Sequence, residues 1–273
     1  MITCSYEHKR ELMLILIEQL GLRSINVFNI FYEALDFTYQ CLSKLISRKS
    51  YNSATFDILV KQIYFTSVQI LPMLTFIGLL MGTIFISLIV HFALDYGLKG
   101  HIGNIVITLV LSEFAPLMTV LLLALRSGAA VNTEIAVMKV SKELNTLKAF
   151  HIDIIEYLFL PRIISGVVST ILLSSFLTIL MLFSGYIYLV LFFETGLELY
   201  IRTLIQAITM NDLFFFFIKN LLFGFFVILI PIYSGLNTGM SYTGIPIAVL
   251  NGMVKIIIAI LSIEVILLAI QYT

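Results

Sequence analysis

The amino-acid sequence predicts an all-α integral membrane protein: an N-terminal interfacial amphipathic helix, five transmembrane helices, and a cytoplasmic helix between the second and third spans. Composition is the first of three observations behind this. Of 273 residues, 60% are hydrophobic and only 12% charged, and the mean hydropathy is +1.06. A water-soluble domain is about half apolar and cannot bury so much apolar surface. The second observation is that the apolar residues fall into stretches of about 20 or more, the length that crosses ~30 Å of hydrocarbon at 1.5 Å per residue. The third is the placement of lysine and arginine beside those stretches.

The first segment, 1–54, is predicted to be helical but not to span. Between residues 10 and 48, apolar positions such as Leu12, Ile15, Leu16, Val27 and Ile30 recur at spacings of three and four. They are interrupted by Glu18, Arg23, Glu33, Asp36 and Lys44. That pattern suits a helix lying in the membrane interface, with a small soluble helical cap as the alternative. Lys9 and Arg10 precede the apolar run Leu12–Ile17, but Glu18 ends it and no small-residue cleavage site follows. A retained N-terminus is therefore expected. Cys4 and Cys41 both fall in this segment, where a cytoplasmic setting keeps thiols reduced and no disulfide is expected.

The second segment, 55–273, holds the spans at roughly 63–93, 102–125, 157–193, 213–235 and 246–270. Seven basic residues precede the first span: Lys9, Arg10, Arg23, Lys44, Arg48, Lys49 and Lys61. Arg126, Lys139, Lys142, Lys148 and Arg162 lie around the next cytoplasmic loop. The outward loops hold little beyond Lys99, Arg202 and Lys219, which places the N-terminus in the cytoplasm and the C-terminus outside. No internal repeat is visible, so any two-fold symmetry has to come from dimerisation. The run Phe214–Phe217 reads as lipid-facing surface at a membrane entrance.

Net charge is zero and no long basic run exists, which argues against nucleic-acid binding. There is no G-x-x-x-x-G-K-[ST] sequence, so the chain does not bind ATP through a P-loop of its own. His91 with Asp95, and His151 with Asp153, match no catalytic or metal spacing, and no metal or other cofactor is expected.

Inside the spans, Glu113 is the conspicuous residue, followed by Pro116. A carboxylate in hydrocarbon costs at least ~2.5 kcal/mol unless it is protonated, paired or wet, so it is either a polar point in a cavity or an acid bonded to a neighbouring helix. Lys255 and Glu264 in the last span are nine positions apart, ~13 Å along a helix, too far to pair with each other. Both are expected to snorkel to opposite interfaces. Gly78 and Gly82 form a small-xxx-small face for close helix approach.

The region between the second and third spans reads as a charged, partly apolar cytoplasmic helix suited to docking a partner. Asn132 or Thr133 is the expected cap, Glu134 lies in the first turn, and Lys139 and Glu143 form an i,i+4 pair.

The same region carries a resemblance to a known family. The run Leu125 to Val140, with Arg126, Gly128, Ala130, Glu134, Met138 and Lys139, then Leu144, Asp153, Pro161 and Arg162, resembles the signature of the MlaE family, the permease subunits of ABC-type lipid transporters. Gly78, Gly82, Glu113, Pro116 and Gly244 continue it over roughly 55–273. Ser112 stands where the family usually has an arginine, Ala115 where it has a glycine, and Ile154 where it has a proline; the usual Ala-Thr run of the final loop is absent.

The resemblance implies a homodimer of five-span subunits in a bacterial inner membrane, bound to a separate cytoplasmic ABC ATPase that carries the ATP. An MCE-type lipid-binding protein would sit on the outer side, and phospholipid would be the cargo. Glu113, Pro116, Gly78 and Gly82 would then border a lipid cavity between the first, second and last spans. Arg126, Gly128, Glu134, Met138, Lys139 and Glu143 would belong to the helix that couples to the ATPase, with Arg126 and Glu134 anchoring it on either side of a glycine-alanine turn. Three rivals stay open: a secondary transporter using Glu113 and Glu264, a lipid-modifying membrane enzyme, and a non-transporting scaffold subunit.

Overall fold

The computed structural model describes residues 32–44, 53–98, 101–193 and 196–271. The chain forms two compact units, Met1–Arg48 and Lys49–Thr273. In the first, residues 32–44 form helix α1. Cys41 is buried, and that burial pushes its thiol up to about 12. The expected amphipathic pattern before residue 32, together with Cys4 and Lys99, lies outside the described residues.

The second unit contains five helical spans long and apolar enough to cross a membrane: Ile58–Asp95, Ile102–Val140, Ile155–Phe193, Met210–Leu236 and Gly244–Gln271. No strand occurs among the described residues. In the first span, α2 (Ser53–Ser67) joins α3 (Leu71–Asp95) through a tight 3₁₀ turn at Val68–Ile70. Pro72 follows at the start of α3, where a missing N–H is tolerated.

The second span differs from expectation. It does not end near residue 125 but runs on as one helical rod to Val140. It comprises α4 (Ile102–Ile107), a wide π-helical stretch at Thr108–Phe114, α5 (Ala115–Leu123), a π-helical turn at Ala124–Gly128, and α6 (Ala129–Val140). There is no glycine-alanine turn and no new N-cap. Gly128 keeps helical angles, and Asn132 is fully buried with its amide donating to Ala248 O. Thr133 bonds back to Ala129 O. The physical reason is that Val131, Asn132, Ile135 and Ala136 pack against the helices carrying the fourth and fifth spans, so tertiary burial extends a helix that local cues would have restarted.

The chain leaves this rod at Lys142, whose φ of 65° is left-handed, and forms the short α7 (Glu143–Ala149). That break separates Lys139 from Glu143. Lys139 instead donates to Leu236 O, and Glu143 accepts from Ser141 Oγ. After His151, also left-handed at φ 59°, a π-helical turn at Ile155–Phe159 leads into α8 (Leu160–Phe193).

An unexpected amphipathic helix, α9 (Leu197–Ala207), precedes the fourth span. Then α10 (Met210–Leu236) begins with a capping box, in which the Thr209 hydroxyl accepts from Asp212 N and the Asp212 carboxylate accepts from Thr209 N. The fifth span is α11 (Gly244–Gln271). The turns holding α7 and residues 237–243 lie at one end of the bundle, and α9 lies at the other.

Helix α10 is the centre of the bundle, packing on α6, α8 and α11, while α3 lies along α8. Small residues set these approaches. A Cβ on Gly82 would come within 2.5 Å of the Met181 Cα of α8, and one on Gly224 within 2.6 Å of Val167 Cα. The outward faces of α3, α8 and α11 are apolar, with Phe76, Ile179 and Val265 exposed, as a hydrocarbon solvent requires. Phe214 and Phe217 also face outward, but Phe215 and Phe216 are buried, so the phenylalanine run is half surface and half core.

Candidate functional site

Three charged side chains meet inside the bundle. Lys219 of α10 is fully buried. Its ammonium donates to Glu113 Oε2 at 2.5 Å, to Ser112 O at 2.9 Å and to Glu264 Oε1 at 3.2 Å. An ammonium has three N–H donors, so all are used. The three residues come from the second, fourth and fifth spans, at ~16 Å from the start of α4, ~13 Å from the start of α10 and ~10 Å from the end of α11. These depths agree, and they put the centre well inside the hydrocarbon on the α9 side of the midplane.

Local sequence builds this arrangement. Pro116 lacks an N–H, so in an α-helical register it has nothing to give the carbonyl four residues earlier, that of Ser112. That carbonyl lies in the π-helical stretch Thr108–Phe114 and accepts from Lys219. Such stretches recur at functional sites because they disrupt the regular ladder and redirect side chains. Phe114, beside Glu113, stacks on Phe85 of α3 with ring centroids 4.0 Å apart, which brings the first span against the centre through an aromatic contact.

The electrostatics leave a surplus of acceptors. With both acids ionised the cluster holds one positive and two negative charges; Glu113 Oε1 and Glu264 Oε2 have no hydrogen-bond partner, and neither does the Ser112 hydroxyl, which can donate as well as accept. A net charge of this kind is not tolerated unmatched in low dielectric. The complement these two carboxylate oxygens take is a donor, from the Ser112 hydroxyl or from an N–H or O–H group brought by a ligand. No grouping of ligands able to hold a metal ion occurs among the described residues.

Sequence reasoning found Glu113 and missed its partner. Charge counting places Lys219 in an outward loop, whereas it is the most deeply buried charge among the described residues, nine residues into α10. Glu264 does not snorkel to an interface but is 7% exposed and paired with Lys219. The signal that would have found Lys219 is its position after Phe214–Phe217 and before an apolar run, which makes it intramembrane. The cation beside Glu113 is thus a lysine from another helix.

Gly78 and Gly82 are elsewhere. Both pack on α8, near Leu177 and Met181, and neither borders the polar centre.

At the α7 end, Glu134 pairs with Arg162 of α8 at 2.5 Å, with Arg162 buried and Glu134 half exposed. Arg126 donates to the carbonyl and the side-chain oxygen of Gln69, in the 3₁₀ turn of the first span. Lys139 satisfies a carbonyl in the last turn of α10. Gly128 faces α10 where Pro231 interrupts it, and a Cβ there would meet Ile256 Cδ1 at 3.2 Å and Val227 O at 3.5 Å. These residues therefore tie the second span to the first, third and fourth. Met138 is half-buried and Glu143 exposed at this end, where Phe150, Ile152 and Tyr157 also form an exposed apolar knob.

Comparison with known proteins identifies the family of the chain. The family model described as permease MlaE matches residues 59–270. The chain is similar to the intermembrane phospholipid transport system permease protein MlaE of Haemophilus influenzae, 26% identical over 218 residues, covering 80% of this chain and 84% of that one. It is also similar to a probable ABC transporter permease protein of Rickettsia prowazekii, 24% identical with 88% of each chain covered. A further probable ABC transporter permease, from Synechocystis, is 24% identical over 66% of this chain and 68% of its own. A match running through all five spans, from the first to the last, places this chain in the MlaE family of membrane permeases.

Proposed function

We propose that this permease is the membrane subunit of an ABC-type transporter that moves phospholipids, or closely related lipids, between membranes, and that a separate ATPase powers it. The observation that carries the reading is the Lys219–Glu113–Glu264 centre: charged, enclosed by three spans, and holding two unpartnered carboxylate oxygens and an unpartnered serine hydroxyl within an otherwise apolar bundle. A hydrocarbon-embedded cluster of this kind suits a lipid headgroup that brings N–H or O–H donors while its chains stay in apolar surroundings. The relatives named as ABC transporter and phospholipid transport permeases support the same direction.

In this reading the subunit is a homodimer in a bacterial inner membrane, with α7 and the Phe150 knob on the cytoplasmic side and α9 on the other. An ABC ATPase docks at the α7 end, and an MCE-type protein receives or delivers lipid at the α9 end. The chain itself performs no covalent chemistry and carries no cofactor. ATP is held by the partner, in keeping with the lack of a P-loop sequence.

Purification from native membranes in mild detergent, followed by mass spectrometry of protein and lipid, tests this. Co-purifying ATPase, MCE-type protein and phospholipid support it. A dimer without ATPase or lipid, in which Glu113→Gln abolishes gradient-driven uptake, would instead identify a secondary transporter working through the buried acids.

A further inference from the structure

A second recess lies apart from the polar centre. Between α3, α4, α8 and α9 there is a cavity of about 230 Å³, walled by Val90 and Leu94 of α3, Val106 of α4, Phe193 of α8, and Leu199 and Thr203 of α9, among others. Among the described residues, Tyr200 and Thr203 bring the only side-chain polar atoms to its lining. Both hydroxyls are already committed, Tyr200 Oη donating to Leu182 O and Thr203 Oγ1 to Leu199 O. The described walls thus offer a ligand dispersion contacts and no free side-chain donor, which suits a hydrocarbon chain better than a headgroup or a peptide backbone.

The setting names what remains. Three of the four walls are spans or continue into one, so the medium beside the recess is lipid. A dry apolar cavity of about 150 Å³ already takes a benzene ring. One of about 230 Å³ accommodates a stretch of acyl chain. The fourth wall, α9, is amphipathic. Leu199 and Leu204 line the recess, while Arg202 on the same turn is exposed and places a cation at headgroup level beside it; Glu198 is exposed one turn earlier. Leu204 also packs against the cluster of Ile107, Leu111, Ala207 and Phe216, so packed core separates the recess from the polar centre on that side.

We propose that this recess is an acyl-chain site: one chain of a phospholipid from the α9-side leaflet lies between α9 and α3, with its phosphate beside Arg202. The site is distinct from the Lys219 centre, and the two readings fail independently.

The test uses the full-length protein in nanodiscs containing phosphatidylglycerol with a diazirine midway along one chain. Val90 and Val106 line the recess and are each only 3% exposed, so labelling them takes a chain inserted between the helices rather than one lying on the outer surface. The expected result is adducts on Val90 and Val106 that fall at least fivefold in Thr203→Trp, with adducts on the outward Ile258 and Val265 unchanged as a control for folding. Leu199→Trp serves as a second filling variant should the first not purify as a monodisperse protein. Arg202→Glu is expected to lower the Val90 adducts severalfold with this anionic lipid. Adducts confined to Ile258 and Val265, or Val90 adducts indifferent to both filling variants, would overturn the chain site; indifference to Arg202→Glu would overturn its phosphate contact.

Discussion

Lys219 illustrates how much depends on a single buried side chain. Its three donors are matched by two carboxylates and a main-chain carbonyl, so removing it leaves two acids facing each other in low dielectric. Lys219→Met is expected to lower stability in detergent by about 3–5 kcal/mol, the usual cost of deleting one partner of a buried ion pair. Adding Glu113→Gln and Glu264→Gln to the same chain removes the unmatched charges, and the melting temperature is expected to recover most of the loss. If the triple variant is no more stable than Lys219→Met alone, the charges are not what the lysine neutralises. Cys41 supports a different test. Its thiol, pushed up to about 12, is protonated at neutral pH in the fold, so alkylation of Cys41 in the native protein at pH 8 is expected to be much slower than in the denatured chain. The sign for stability follows from linkage: burial of the neutral thiol stabilises fully below about 9, and that contribution is lost as pH rises from about 9 towards about 12.

At the scale of elements, the glycine seam between α3 and α8 separates two outcomes. A Cβ on Gly82 meets backbone, with Met181 Cα at 2.5 Å and its carbonyl at 2.8 Å, whereas one on Gly78 meets Leu177 Cδ1 at 2.7 Å, the end of a flexible side chain. Gly82→Ala is expected to cost about 1–3 kcal/mol of stability through overpacking, and Gly78→Ala clearly less. Equal melting temperatures for the two variants would show that α8 yields at Met181. The second span supplies another contrast. Glu134→Lys places a like charge beside buried Arg162, so it is expected to lower both stability and ATPase co-purification. Phe150→Ala changes a side chain that is 72% exposed and is expected to weaken co-purification severalfold without moving the melting temperature. Unchanged co-purification in Phe150→Ala would remove the knob from the docking surface.

For the molecule as a whole, what was legible in the sequence is what hydrophobicity writes in one dimension. The five spans follow from uninterrupted apolar length, and their predicted limits stand within a few residues of the structure except where the second span continues past 125. That continuation was hidden because Arg126, Asn132, Glu134 and Lys139 read as solvent-facing charge. In the fold each has a partner on another helix, in Gln69, Ala248, Arg162 and Leu236. Glu113 was visible because an acid in an apolar run stands out, but its pairing with Lys219 spans 106 positions and no periodicity records it. Helix α9 was missed because eleven residues with Glu198 and Arg202 among them resemble a loop until their apolar face is seen against α4.

The length of the second span joins two distant parts of the bundle. At 1.5 Å per residue its 39 residues reach ~58 Å, nearly twice the thickness of the hydrocarbon it crosses. Glu113 and Lys139 each stand 13 residues, ~20 Å, from Arg126 in the middle of the π-helical turn Ala124–Gly128, where Gly128 rests on the proline-interrupted face of α10. That turn stands midway between the two, so one continuous helix carries both an acid of the buried charge cluster and, at the other end of the bundle, a lysine bound to the last turn of α10.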